Sequence, residues 1–256
     1  MSDPASPAPV GGSFPPTRHS LLEDLRADEP AVRARALDAL ANLYWRPVYK
    51  HLRRRLGLST HDAEDTTQAF FAHALTSDVF SSYDPRQARF RTFFRVCLDR
   101  FAANEYRAAG RQKRGGHIQH VPIDVEGAER ELERAGVVAA ADPDAEFHRE
   151  WVRSLFGLAV ESLDAWGRDT GRQVHFALFE RYDLDEQPGD RPTYQALADE
   201  FGIPVTQVTN YLAAARREFR RIVLERLREV TATDAEFRAE ARDLLGVCLL
   251  YTSRCV

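Results

Sequence analysis

Apolar residues recur at three- and four-residue spacing through most of the chain, and no run of alternating strands is present, so the pattern predicts an all-α fold. Leu37, Leu40, Tyr44, Val48 and Leu52 fall on one face of a first long helix. Pro47 lies inside that pattern and predicts a kink or a junction between two helices. Arg53, Arg54 and Arg55 close the segment before Gly57, where cations suit a helix C-terminus. Ser59 or Thr60 then caps a helix with Asp62, Glu64 and Asp65 in its first turns and Phe70, Phe71, Ala74 and Leu75 on its apolar face. A loop over 76–87 leads to Phe90, Phe94, Cys97 and Phe101, spaced i, i+4, i+7, i+11 as one buried stripe. Arg91, Arg95, Asp99 and Tyr106 point the other way.

The pattern weakens from His117 to about Asp144, which reads as a linker with a short acidic helix over 126–134. Phe147, Trp151, Leu155, Leu158, Val160 and Leu163 restart the helical period, followed by a helix over 174–182 and a polar loop over 183–191 containing Pro188 and Gly189. Phe147, Trp151 and Trp166 are expected in the core of this second helical domain. Tyr194, Leu197, Ala198 and Phe201 mark a short helix, and Gly202 supplies a turn in which a residue without Cβ takes a left-handed conformation. Val208, Leu212, Ala215, Phe219 and Ile222 form the core stripe of a longer helix. A final acidic amphipathic helix runs over 232–247 through Phe237, Ala241, Leu244 and Leu245. The expected division is a disordered tail at 1–19, a first helical domain at 20–116, a linker at 117–143, a second helical domain at 144–230, and the C-terminal helix at 231–247. Residues 248–256 share no period with that helix and read as a non-native tail.

Charge changes the picture more by its distribution than by its total of −4. Between Pro85 and Gly116 nine Arg and Lys residues face two acidic ones, Asp99 and Glu105. The preceding helix is acidic, so two faces of opposite sign sit close together in the chain. Three cysteines, Cys97, Cys248 and Cys255, without C-x-x-C spacing argue against a disulfide framework or a zinc site. His117 and His120 lack a nearby carboxylate or cysteine and are not read as metal ligands. No P-loop, G-x-S-x-G or paired catalytic carboxylates appear, so no enzyme, metal or cofactor is expected. Neither a signal peptide nor a membrane span is apparent, and a cytoplasmic location is expected.

A short helix, a glycine turn and a longer helix are the parts of a DNA-reading helix-turn-helix. With Val208 inward, Thr206, Asn210, Ala213 and Arg217 lie near the opposite side, with Gln207, Thr209 and Ala214 on the flanks. Gln and Asn bond base edges bidentately, Thr contacts a thymine methyl or pairs its hydroxyl, and Arg reaches guanine or phosphate. Arg216, Arg220 and Arg221 continue as phosphate contacts. The competing reading of this pattern is an αα-hairpin with a solvated polar face.

Three motifs in order resemble the bacterial RNA polymerase sigma factors of the extracytoplasmic-function group. They are Asp62-Ala63-Glu64-Asp65 with Gln68 and Phe71, Phe90-Arg91-Thr92-Phe93-Phe94 with Asn104, and the helix-turn-helix over 194–221. The junction Arg111-Gln112-Lys113-Arg114-Gly115-Gly116 is close to that of one subgroup. The resemblance implies a protein that binds core RNA polymerase and directs transcription initiation. Asp62, Glu64, Asp65 and Gln68 would dock on the clamp helices of the largest subunit, and the flap is a further contact. Tyr83, Arg86, Arg89, Arg91, Arg95, Asn104 and Tyr106 would recognise and open the −10 promoter element. Thr206, Gln207, Thr209, Asn210, Arg216, Arg217 and Arg220 would read the −35 element. Acidic helix capping and a solvated basic face are the plainer readings of the first two groups. The chain departs from the family's usual pattern at Phe93, where tryptophan is common, at Pro204, the usual capping serine, and at Thr209, where a cation is frequent. An anti-sigma protein is a further partner of this kind of factor. A stand-alone helix-turn-helix regulator of duplex DNA is the rival reading.

Overall fold

The computed structural model describes residues 21–77, 79–109, 123–135, 142–185 and 191–252. The 1–19 tail, the Arg111–Gly116 junction, His117, His120 and the Pro188-Gly189 turn lie outside the described residues. Among the described residues every regular element is helical. A short α1 (Leu21–Asp24) precedes α2 (Pro30–Arg55), α3 (Thr60–Thr76), α4 (Phe90–Ala109) and α5 (Val125–Ala135). After these come α6 (Pro143–Asp169), α7 (Gln173–Phe179), α8 (Tyr194–Phe201), α9 (Val205–Glu229) and α10 (Asp234–Thr252). A π-helical turn, Glu180–Leu184, continues α7.

Pro47 sits inside one uninterrupted α2. The predicted α2 face holds: Leu37, Leu40, Tyr44, Val48 and Leu52 are all buried. Ser59 caps α3, its hydroxyl accepting from the Asp62 backbone N–H at 3.1 Å. Asp142 does the same for α6, accepting from the N–H groups of Asp144 and Ala145 at 3.0 and 3.2 Å.

The larger core collects α2, α3, α4, α5, α6, the C-terminal half of α9 and α10. Tyr44 lies at its centre, with ring centroids 4.2 Å from Phe94 and 6.5 Å from Trp151. Phe147 packs 6.4 Å from Phe94. Phe147 and Trp151 therefore belong to the core of the first helices, and α6 carries that core across the expected boundary at 144. A period of four shows that one side of α6 is buried but not what buries it.

Two sets of ion pairs reinforce the α2 seam. Lys50, only 2% exposed, reaches Glu150 of α6 at 2.6 Å and Glu131 of α5 at 2.5 Å. Arg54 pairs with Glu146, and Arg53 forks onto Glu129 at 2.7 and 3.0 Å. The span read as a linker thus contains a packed helix, with Ala128 and Leu132 fully buried and its acidic face on the cations of α2.

A smaller core joins α7, α8 and the first half of α9 through Leu178, Leu197, Ala198, Val208 and Leu212. The stripe on α9 divides between the two cores: Val208 and Leu212 serve the smaller, while Ala215, Phe219, Ile222 and Leu227 serve the larger.

Candidate nucleic-acid interface

The α8–α9 unit is built from local chemistry. Thr193 caps α8 by accepting from the Ala196 N–H at 3.1 Å. Gly202 ends the helix at φ 64°, and both its N–H and that of Ile203 donate to the Ala198 carbonyl. An L-residue with a side chain strains in that conformation, so the turn demands glycine. Pro204 starts α9 with its carbonyl accepting from Gln207 N at 2.8 Å, and it offers no side-chain cap.

Val208 faces inward and is fully buried, which sends Thr206, Thr209 and Asn210 to the surface. Gln207 is half-buried and accepts a hydrogen bond from the Tyr211 hydroxyl at 3.3 Å. Arg217 and Arg220 are exposed and form no ion pair among the described residues. Arg216 differs. It forks onto Asp183 of the π-helical turn at 2.8 and 2.9 Å and stacks 5.4 Å from the Tyr182 ring. Arg191 also pairs with Asp183, at 3.2 Å. Arg216 thus ties α9 to the α7 extension, and the cationic line at the surface passes through Arg217 and Arg220. Arg221 is held by Glu218 and Glu225 of its own helix.

On α3, Asp62 and Asp65 are exposed and Glu64 is half-buried. Asp62 accepts from Ser59, and Asp65 lies 3.7 Å from His61, so among the described residues both are engaged at their own helix start. Gln68 is 6% exposed, on the flank of α3 that the core covers.

The loop over 79–89 and α4 hold the remaining residues, and most are already occupied. Tyr83 is 6% exposed, and its hydroxyl donates to Glu236 at 3.1 Å. Burial first, and the Glu236 carboxylate next, push its phenol above the ordinary range. Arg86 is exposed and forks onto Asp84, holding that carboxyl well below the usual carboxylate range. Arg89 reaches Asp243 at 2.6 Å and Glu240 at 3.5 Å. Arg91 pairs with Glu240 and lies 5.6 Å over the Trp151 ring. Arg95 is bound by Asp99 at 2.6 Å and Asp144 at 2.5 Å. Asn104 is exposed and accepts from Arg107 at 2.8 Å. Tyr106 falls within α4, its side chain outside the described set.

The sequence pattern assigns no role to Glu236, Glu240 and Asp243, the three α10 carboxylates that meet Tyr83, Arg89 and Arg91. Their i, i+4, i+7 spacing was the available signal, an acidic stripe on the last helix matching a basic stretch far upstream. Among the described residues no helix is long and apolar enough to cross a membrane. In comparisons with known proteins, no family model matches the chain, no curated protein matches it and no solved structure matches it.

Proposed function

We propose that this chain is a sigma factor: it binds core RNA polymerase, recognises −10 and −35 promoter elements and directs initiation. The observation that carries the reading is the α8–Gly202–α9 unit. It holds Thr206, Thr209, Asn210, Arg217 and Arg220 outward from a small core of its own. A helix that begins at an ordered glycine turn and shows amide and hydroxyl groups in its first turns is suited to the major groove. Asn210 and Gln207 suit adenine edges, and Arg217 and Arg220 suit guanine or phosphate.

The acidic start of α3 supports the second half of the reading. Asp62 and Asp65 project outward with their carboxylates available to arginines of a coiled coil, where charge-assisted pairs are strongest. The loop over 79–89 and α4 carry the aromatic and cationic groups that strand opening uses. Only α9 contributes to both cores among the described residues, Val208 and Leu212 to the smaller and Ala215, Phe219 and Ile222 to the larger, so the proposed DNA-reading unit is anchored to the body that carries α3 and α4.

The rival, a regulator that binds duplex DNA without polymerase, needs only α8 and α9. The occupied state of Tyr83, Arg89 and Arg91 favours it. Co-migration with purified core polymerase on gel filtration separates the two. The chain is expected to co-migrate, and Asp65→Arg to abolish this while sparing duplex binding. Failure of the unaltered chain to co-migrate, with duplex binding retained, selects the regulator.

A further inference from the structure

The C-terminal helix α10 lies where the strand-opening face would have to be open. Its apolar side, Phe237, Ala241 and Leu244, packs onto the larger core. Its acidic side places Glu236, Glu240 and Asp243 in one line against the loop over 79–89 and the start of α4. Glu236 accepts from the Tyr83 hydroxyl at 3.1 Å and from the Phe90 backbone N–H at 2.8 Å. Phe90 opens α4, so this carboxylate occupies the free N–H end of a helix, the kind of place that takes a phosphate. Glu240, 3% exposed, pairs with Arg91 and lies 3.5 Å from Arg89. Asp243 completes the line on Arg89 at 2.6 Å.

Burying carboxylates is costly unless each meets a cation or a donor, and leucines at 236 and 240 would seat a helix on an apolar core at lower cost. The arrangement is therefore organised around the groups it neutralises. Those groups are a helix N-terminus, a tyrosine hydroxyl and two guanidiniums, each of which also bonds a phosphodiester oxygen. Residues 230–233 alone join α9 to α10, so the acidic stripe is tethered beside its target at an effective concentration on the order of millimolar.

We propose that α10 is an autoinhibitory strap. Its Glu236, Glu240 and Asp243 stripe occupies the Tyr83, Arg89 and Arg91 face, and single-stranded DNA takes that face when the strap lifts. The proposal rests on the reading of the loop and α4 as the strand-opening face, and the test distinguishes the two.

The test is fluorescence anisotropy with a labelled single-stranded oligonucleotide at fixed ionic strength. It compares the full chain with Glu236→Gln/Glu240→Gln/Asp243→Asn. The neutralised variant is expected to bind at least tenfold more tightly. A control, Asp38→Asn/Glu161→Gln/Asp169→Asn, makes the same charge change at exposed positions elsewhere and is expected to gain less than threefold. Asp243→Asn alone, at a pair exposed on both sides, leaves the buried contacts intact and is expected to give a smaller gain in the same direction. Adding Arg91→Gln to the triple variant is expected to remove most of its gain. Equal, tight binding by the full chain and the triple variant overturns the strap and leaves the strand-opening face standing. No binding by either overturns both. A gain matched by the control, or one that survives Arg91→Gln, also overturns the strap.

Discussion

Lys50→Met tests the seam that joins α2 to α5 and α6. The ammonium sits 2.6 Å from Glu150 and 2.5 Å from Glu131, with the Lys50 and Glu150 side chains 2% and 4% exposed. Methionine keeps the stem and removes the charge, leaving two carboxylates behind. Glu131 is a third exposed and retains Arg46 at 3.1 Å, so it rehydrates at little cost. Glu150 cannot reach water and keeps Arg153 at 2.8 Å and Arg54 at 3.6 Å as partial compensation. Breaking a buried pair costs about 3–5 kcal/mol, and those residual partners place this case near the low end, about 3 kcal/mol. Against a domain stability of about 5–15 kcal/mol, that is a large fraction. Urea unfolding followed by circular dichroism is expected to show a lower midpoint at an unchanged slope. The double variant Lys50→Met/Glu150→Gln removes the stranded charge and is expected to recover about 1 kcal/mol or more relative to the single one. A loss under about 1 kcal/mol for Lys50→Met, or a double variant no more stable than the single, would refute the buried-charge reasoning.

Other perturbations address separate links. Gly202→Ala meets no atom within 4 Å of its new Cβ, so its cost is the left-handed backbone alone, about 1–2 kcal/mol; thermal unfolding measures it, and weaker duplex binding is expected with it. His148 is pushed down to about 4 by burial first and by Arg91 next, with Arg89 and Arg149 adding to this and Asp243 opposing it. Below about pH 6.5 the unfolded chain takes up this proton before the folded one, so stability falls as pH drops from about 6.5 toward 4. His148→Gln is expected to flatten that part of the stability–pH curve, and an unchanged curve counts against the assignment. Deleting residues 248–256 removes the end of α10 beyond its described contacts, and is expected to leave the melting temperature and DNA binding unchanged; a clear fall in either contradicts it.

What local chemistry encodes was legible in the sequence. The Ser59 cap, the Gly202 turn and the Val208–Leu212–Ala215–Phe219–Ile222 stripe each depend on residues within a few turns of one another. The C-terminal helix was legible for the same reason, through Ala241 and Leu244. Its destination was not. Glu236 bonds Phe90 across 146 residues, and no periodicity within either segment carries that pairing. Arg91 and Tyr83 read as surface groups because their own helix and loop gave no reason to bury them, yet α10 and Trp151 cover them. The packing of α5 was hidden similarly, since an acidic helix finds its place only once the cations of α2 are in view. Gln68 reads as an outward polar residue from its type, whereas its flank of α3 is closed by neighbours that the sequence does not position.

Promoter-dependent run-off transcription with purified core RNA polymerase decides whether the chain acts as a sigma factor. The template pool should hold many candidate upstream regions, and both the full chain and its Glu236→Gln/Glu240→Gln/Asp243→Asn variant should be assayed. Discrete products are expected that depend on the added chain, increase in the neutralised variant and disappear with Asp65→Arg. Absence of any chain-dependent product from both proteins, while duplex DNA is still bound, would contradict the sigma-factor reading.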